Sequence, residues 1–230
     1  MDRLSVKEIR KEGLKFLNFE KGIAYTFIML LRKPYVAIQI YLFKNRRFLN
    51  NPIQYLLFSV AGYSLFINYH KGFRAFFSES STQNKQMINS LEEQLNVTFY
   101  EEFVKAQNFY LSSMNMVYLF SIPAIALITY WFFKPKYNYA ENLAIHCYMY
   151  GTANWISLII VLLTLFLNIS GSFMPVLVLL IYLVIVYLIK RVYRVKWLAA
   201  LGTQLLLLLI FIIIGQLYLY GLLVYFIWAK

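Results

Sequence analysis

Five stretches of this chain are long, apolar and almost free of charge: residues 52–69, 117–133, 144–167, 173–189 and 198–227. A hydrocarbon layer about 30 Å thick takes roughly 20 apolar residues to cross as a helix, and each stretch is near or above that length. In hydrocarbon the backbone has no water to bond, so only helices and closed barrels cross it. The apolar residues here are clustered, whereas barrel strands alternate over about 10 residues. The expected fold class is therefore all-α: a polytopic integral membrane protein with five transmembrane helices. Composition agrees, with 61% hydrophobic and 19% aromatic residues in 230, against about 45–50% apolar in an ordinary soluble domain.

Charge sets the expected orientation. Residues 1–50 hold 11 Lys and Arg, and Lys134, Lys136, Lys190, Arg191, Arg194 and Lys196 fill two short linkers further on. The alternate connections hold only Lys71, Arg74, Lys85 and Lys105, then none, then the terminal Lys230. Cytoplasmic loops carry the excess of Lys and Arg. The N-terminus is thus expected in the cytoplasm and the C-terminus outside, in the cell's inner (cytoplasmic) membrane. Residues 1–21 are basic with no apolar core before them, so the first crossing is expected to serve as an uncleaved insertion signal.

The first 50 residues read as basic, interfacial amphipathic helices. Ser5 and Glu8 have the spacing of a capping box, with Leu4 and Ile9 placed for a hydrophobic staple. Val6, Ile9, Phe16 and Leu17 lie on one side, as in a helix resting on a membrane surface. The next apolar segment is too short to span before Arg32 and Lys33, and Pro34 suits the first turn of a new helix. Two short interfacial or re-entrant helices are expected. A single kinked span over residues 22–43 would instead bury two central cations at a cost of at least several kcal/mol. Asn51 before Pro52 reads as the cap of the first crossing. Residues 70–116 form an extracytoplasmic segment, with helical spacing over 84–111. Asn96 and Asn168 open N-x-[ST] sequons, which carry meaning only in a secretory pathway.

Polar residues inside a membrane are functional candidates by default. The third apolar stretch opens with Glu141 and Asn142, followed by His146, Tyr150 and Asn154. The last four are spaced by four residues and are expected along one helix face. The structural reading is hydrogen bonding between helices plus a cap at the helix start. The functional reading is a groove for a lipid headgroup, a small solute or a partner helix. Arg32, Lys33, Lys44, Arg46, Arg47, Lys190, Arg191, Arg194 and Lys196 are the expected contacts to anionic lipid headgroups, each worth about 1 kcal/mol near the surface. Gln204 and Gln216 lie twelve residues apart and so about 120° apart around a helix. Gly215 and Gly221 are candidates for close helix packing. Cys147 is a lone cysteine in an apolar stretch and reads as a small buried hydrophobe.

No catalytic motif is present: no H-E-x-x-H, no G-x-S-x-G, no glycine-rich phosphate loop, no cysteine pair. Only two histidines, His70 and His146, and one aspartate, Asp2, occur. These counts weigh against multi-histidine and intramembrane aspartyl chemistry. No catalytic residue, cofactor or metal is expected.

Two segments carry a family resemblance. One runs Leu30, Leu31, Arg32, Lys33, Pro34, then Ile40, Tyr41, Leu42, the basic turn at 44–47, and Asn51 with Pro52. The other runs from Tyr137 to Leu143, with His146 following. Together they resemble an uncharacterised family of bacterial five-span membrane proteins, in which a Tyr-x-Glu-His-Leu-type motif precedes the third span. Asn142 stands where that family has histidine. The layout is also similar to the Yip1-like superfamily, whose eukaryotic members act in vesicle traffic and bind partner membrane proteins. The zinc ribbon that relatives often carry is missing from this chain. The resemblance implies the fold; with the interfacial helices and the missing catalytic motifs, its layout gives the expected function, a non-enzymatic scaffold or subunit of a membrane complex concerned with membrane organisation or trafficking. The expected partners are the bilayer with its anionic headgroups and another membrane protein or a second copy, but not nucleic acid. The alternative is lipid or small-solute binding or transport through the groove on the third span.

The charge pattern makes one direct prediction. A reporter fused after Lys230 should be active on the extracytoplasmic side, and activity in the cytoplasm would reverse the orientation.

Overall fold

A computed structural model describes residues 22–69, 100–133, 136–166 and 174–228. The capping box at Ser5, the start of the 84–111 helix and both sequons lie outside the described residues. The described residues are all-helical, without a strand. Two helices are long and apolar enough to cross a membrane, within Tyr139–Leu163 and Trp197–Trp228.

The chain opens with α1 (Ile23–Arg32) and α2 (Pro34–Gln39), and a π-helical turn (Ile40–Lys44) continues α2. Pro34 sits in the first turn of α2, where its missing N–H is no loss. Lys33 leaves helical geometry with φ −138° and ψ 59°, which divides the two helices. Helix α3 (Pro52–Tyr69) begins where Asn51 Oδ1 accepts the N–H groups of Ile53 and Gln54 at 3.0 and 3.4 Å.

Helix α4 (Tyr100–Phe133) starts well before residue 117. The sequence boundary at 117 marks a change in polarity, and no proline or glycine there stops the backbone. Pro123 lies within the helix. Next come α5 (Tyr139–Phe166), α6 (Met174–Tyr193) and α7 (Trp197–Trp228). The start of α5 also precedes the apolar stretch, for a reason that belongs to the site below.

Helix α5 is the centre of the bundle, and α1, α3, α4 and α6 all pack on it. Its pairs with α3 rise in step along both helices: Tyr55 with Thr152, Ser59 with Asn154, and Gly62 beside Leu158 and Trp155. The two helices are therefore parallel. Gly151 makes the approach possible. A Cβ there would lie 2.7 and 2.8 Å from ring carbons of Tyr55, whose side chain is fully buried. Helix α6 returns in the opposite direction, its last residue Tyr193 reaching Asn142 near the start of α5. Helix α7 packs on α4 and α6. Gly215 receives the Tyr110 hydroxyl, which a Cβ would meet at 2.8 Å, whereas Gly221 has no neighbour within 4 Å.

The short helices close one end of the bundle. Asn50 is the clasp: its N–H donates to Thr26 Oγ1 at 3.0 Å, and its carbonyl accepts Tyr148 Oη at 2.6 Å. Gln39 Nε2 donates to Tyr137 Oη at 2.9 Å. The basic turns before α3, before α5 and after α6 thus meet at a single end.

Gly151→Ala forces a methyl group into the Tyr55 ring and should lower stability by about 1–3 kcal/mol. Gly221→Ala should lose nothing. Thermal unfolding of the purified variants in one detergent checks both.

Candidate functional site

The candidate polar residues do not share one face. Three steps of four residues turn about 120° around a helix with 3.6 residues per turn. Asn142 and His146 consequently point toward α6 and α4, while Asn154 reaches α3, its Nδ2 donating to Ser59 Oγ at 3.4 Å. Tyr150 lies between them, buried, its ring 5.9 Å from that of His146.

Glu141 has a different role from its neighbours. Its backbone N–H donates to Asn138 Oδ1 at 2.9 Å, and its Oε2 accepts the Asn138 N–H at 2.8 Å. This reciprocal pair is a capping box, and it sets the start of α5 at Tyr139. The spacing is that of Ser5 and Glu8, with asparagine in the cap position. The cap expected at the start of this stretch is thus present, with Asn138 and Glu141 as its two members.

Asn142 and His146 belong to a closed polar seam. Both are fully buried. Tyr193 Oη donates to Asn142 Oδ1 at 2.7 Å, and Asn142 Nδ2 donates to the carbonyls of Tyr137 and Asn138 at 3.1 and 2.9 Å. Thr129 gives its single hydroxyl proton to its own helix, at Ile125 O or Ala126 O, 3.0 and 3.1 Å away. Its oxygen then accepts from His146 Nε2 at 2.8 Å, which places the ring hydrogen on Nε2. His146 Nδ1 is buried without a hydrogen-bond partner. The Tyr193 ring stacks on Phe133 at 4.2 Å, so one tyrosine ties α4, α5 and α6 together. Sequence reasoning missed Tyr193, which lies in the basic linker just past the stretch 173–189 with nothing local to mark it.

The basic end has its own geometry. Helix α6 ends in a Schellman turn, in which Val195 N–H donates to Lys190 O at 3.3 Å and Arg194 is left-handed with φ 53°. Glycine is usual there, and a side chain in that conformation costs about 1–2 kcal/mol. The Arg194 guanidinium lies 3.7 Å from the centre of the Tyr35 ring on α2. Lys136 Nζ donates to the carbonyl of Tyr193. Burial, and next the charge of Arg194, hold the Lys136 ammonium below its ordinary range. Lys190 Nζ sits 4.0 Å over Trp197, and Arg191 lies 5.5 Å from the Tyr187 ring. Aromatic rings and carbonyls hold these cations. Among the described residues the carboxylate at this end, on Glu141, is occupied in its cap. Lys136 was absent from the expected lipid contacts.

Among the described residues no three His, Cys, Asp or Glu side chains are grouped to hold a metal, and Cys147 is buried. The arrangement offers two chemistries: hydrogen bonding between helices in the seam, and anion attraction at the basic end. No family model, no curated protein and no solved structure matches this chain.

Tyr193→Phe keeps the ring but leaves Asn142 Oδ1 without its donor, and should cost about 1–3 kcal/mol. Thermal unfolding against the parent chain measures it.

Proposed function

We propose that this chain is an integral membrane protein of five crossings, with a cytoplasmic basic end and a Yip1-like layout. Its role is that of a non-enzymatic scaffold or subunit of a membrane complex. The observation that carries the reading is the contrast between two helices. The best apolar window of α5 is 72% buried, while that of α7 is 22% buried. Leu205, Leu209, Ile213, Leu217 and Val224 on α7 are exposed. A patch of that size in water drives association, and a hydrocarbon surrounding accommodates it.

The hydroxyl groups support the same reading. Ser59, Ser64, Ser113, Thr129, Thr152, Ser157 and Thr203 each donate to a carbonyl three or four residues back on their own helix. Such groups need no water. The scaffold role rests on where the polar residues go: Asn142, His146 and Asn154 bond across helices, as a packing role requires. The exposed surface is left to lipid and to partners.

Two measurements test the proposal. After alkaline carbonate washing the chain should remain in the membrane pellet, and release into the supernatant would overturn the membrane reading. Native mass spectrometry of the gently solubilised protein should show a stoichiometric second protein or a second copy. A lone monomer under all mild conditions would overturn the scaffold reading.

A further inference from the structure

The basic end contains a more specific arrangement than a charged surface. Three facts converge on Lys136 and Arg194. First, both are exposed, yet each is held in place by an uncharged partner, the Tyr193 carbonyl for one and the Tyr35 ring for the other. Second, Lys136 is anchored on the carbonyl of the residue just before Arg194, so two positive groups face the same turn. Third, Arg194 occupies a left-handed position that suits glycine, with φ 53°. Backbone strain of this kind persists where the surrounding structure holds it and clusters at functional positions.

We propose that Lys136 and Arg194 form a clamp for a phosphate-bearing anion, either a phospholipid headgroup or free phosphate. The clamp rests on the reading of this end as the one facing the anionic leaflet. The Lys136 ammonium has three donors and spends one on Tyr193. The Arg194 guanidinium, stacked face-on against Tyr35, keeps its N–H edge for a fork-shaped contact with phosphate oxygens. Burial first, and then the charge of Arg194, lower the Lys136 pKa, and an anion between the two cations offsets the second of these. The aromatic props restrict both side chains before the ligand arrives, which lowers the entropy lost on binding. Arg46 and Arg47, in the turn before α3, are exposed and supply charge without such props.

The test titrates the purified full-length chain in neutral detergent with dioctanoyl phosphatidylglycerol, and separately with inorganic phosphate at constant ionic strength. Saturable binding is expected. Lys136→Ala and Arg194→Gly should each weaken it about tenfold, the loss of one charge-assisted hydrogen bond, while Arg46→Ala, an expected headgroup contact at the same end, should weaken it only about twofold, as a screened surface charge does. Arg194→Gly suits the left-handed turn, so its unfolding midpoint should match or exceed that of the parent and lost binding cannot be lost folding. Saturation by phosphatidylglycerol alone supports the clamp and assigns it to a headgroup. Saturation by phosphate with the same variant losses supports it and assigns a soluble anion. No saturable binding of either probe, or equal losses from Arg46→Ala and Arg194→Gly, overturns it. A chain that stays in the carbonate-washed pellet yet fails this titration loses the clamp and keeps the membrane reading. Release from the pellet decides the reverse.

Discussion

A helix packed by four neighbours must pair most of its buried polar groups within the protein, and α5 is under that constraint along most of its length. Its asparagines, threonine and histidine must each find a partner on another helix or on their own backbone. The bundle is arranged around those partners. Ser59 on α3, Thr129 on α4 and Tyr193 on α6 stand where α5 needs a hydrogen bond. Gly151 removes the one side chain that would hold α3 away. Removing a single partner leaves a buried polar group unpaired, which costs more than the bond itself contributes.

The same constraint explains the basic end. Tyr137 and Asn138 turn their carbonyls inward to Asn142, which fixes the linker between α4 and α5 and places Lys136 against the last turn of α6. A cation at the carbonyl end of a helix is favourable by about 0.3–1 kcal/mol. Tyr193 thus works from both ends: its hydroxyl closes the seam and its carbonyl receives Lys136. The buried seam and the exposed cations are parts of one construction.

Much of the helical framework was legible locally. Asn51 as a cap and Pro34 as a helix start depend on residues a few positions apart, and both are present as such. A cap at the start of α5 was equally local, and the Asn138–Glu141 pair supplies it, with Asn138 as the partner that the spacing alone did not single out. The rotation of Asn154 away from Asn142 follows from the arithmetic that separates Gln204 from Gln216, since a four-residue repeat drifts by about 40° per step. Gln204 is buried and Gln216 exposed, as that separation requires. What sequence could not supply was long-range pairing. Nothing near Tyr35 names Arg194, and nothing near Asn142 names Tyr193, because those contacts depend on which helices become neighbours.

The pairing of α3 with α5 bears on how the chain is made. Helix α3 barely touches α4, its successor in the chain. Its closest companion is synthesised only after the long connection and a whole intervening helix have left the ribosome. Until then the hydroxyl of Tyr55 has no Thr152 to donate to, and the clasp at Asn50 has no Tyr148. Assembly is therefore out of order with synthesis: helix α3 waits for α5 before its buried contacts can form. A substitution at Gly151 would prolong that interval as well as weaken the finished contact, exposing the nascent chain to quality control before the bundle has closed.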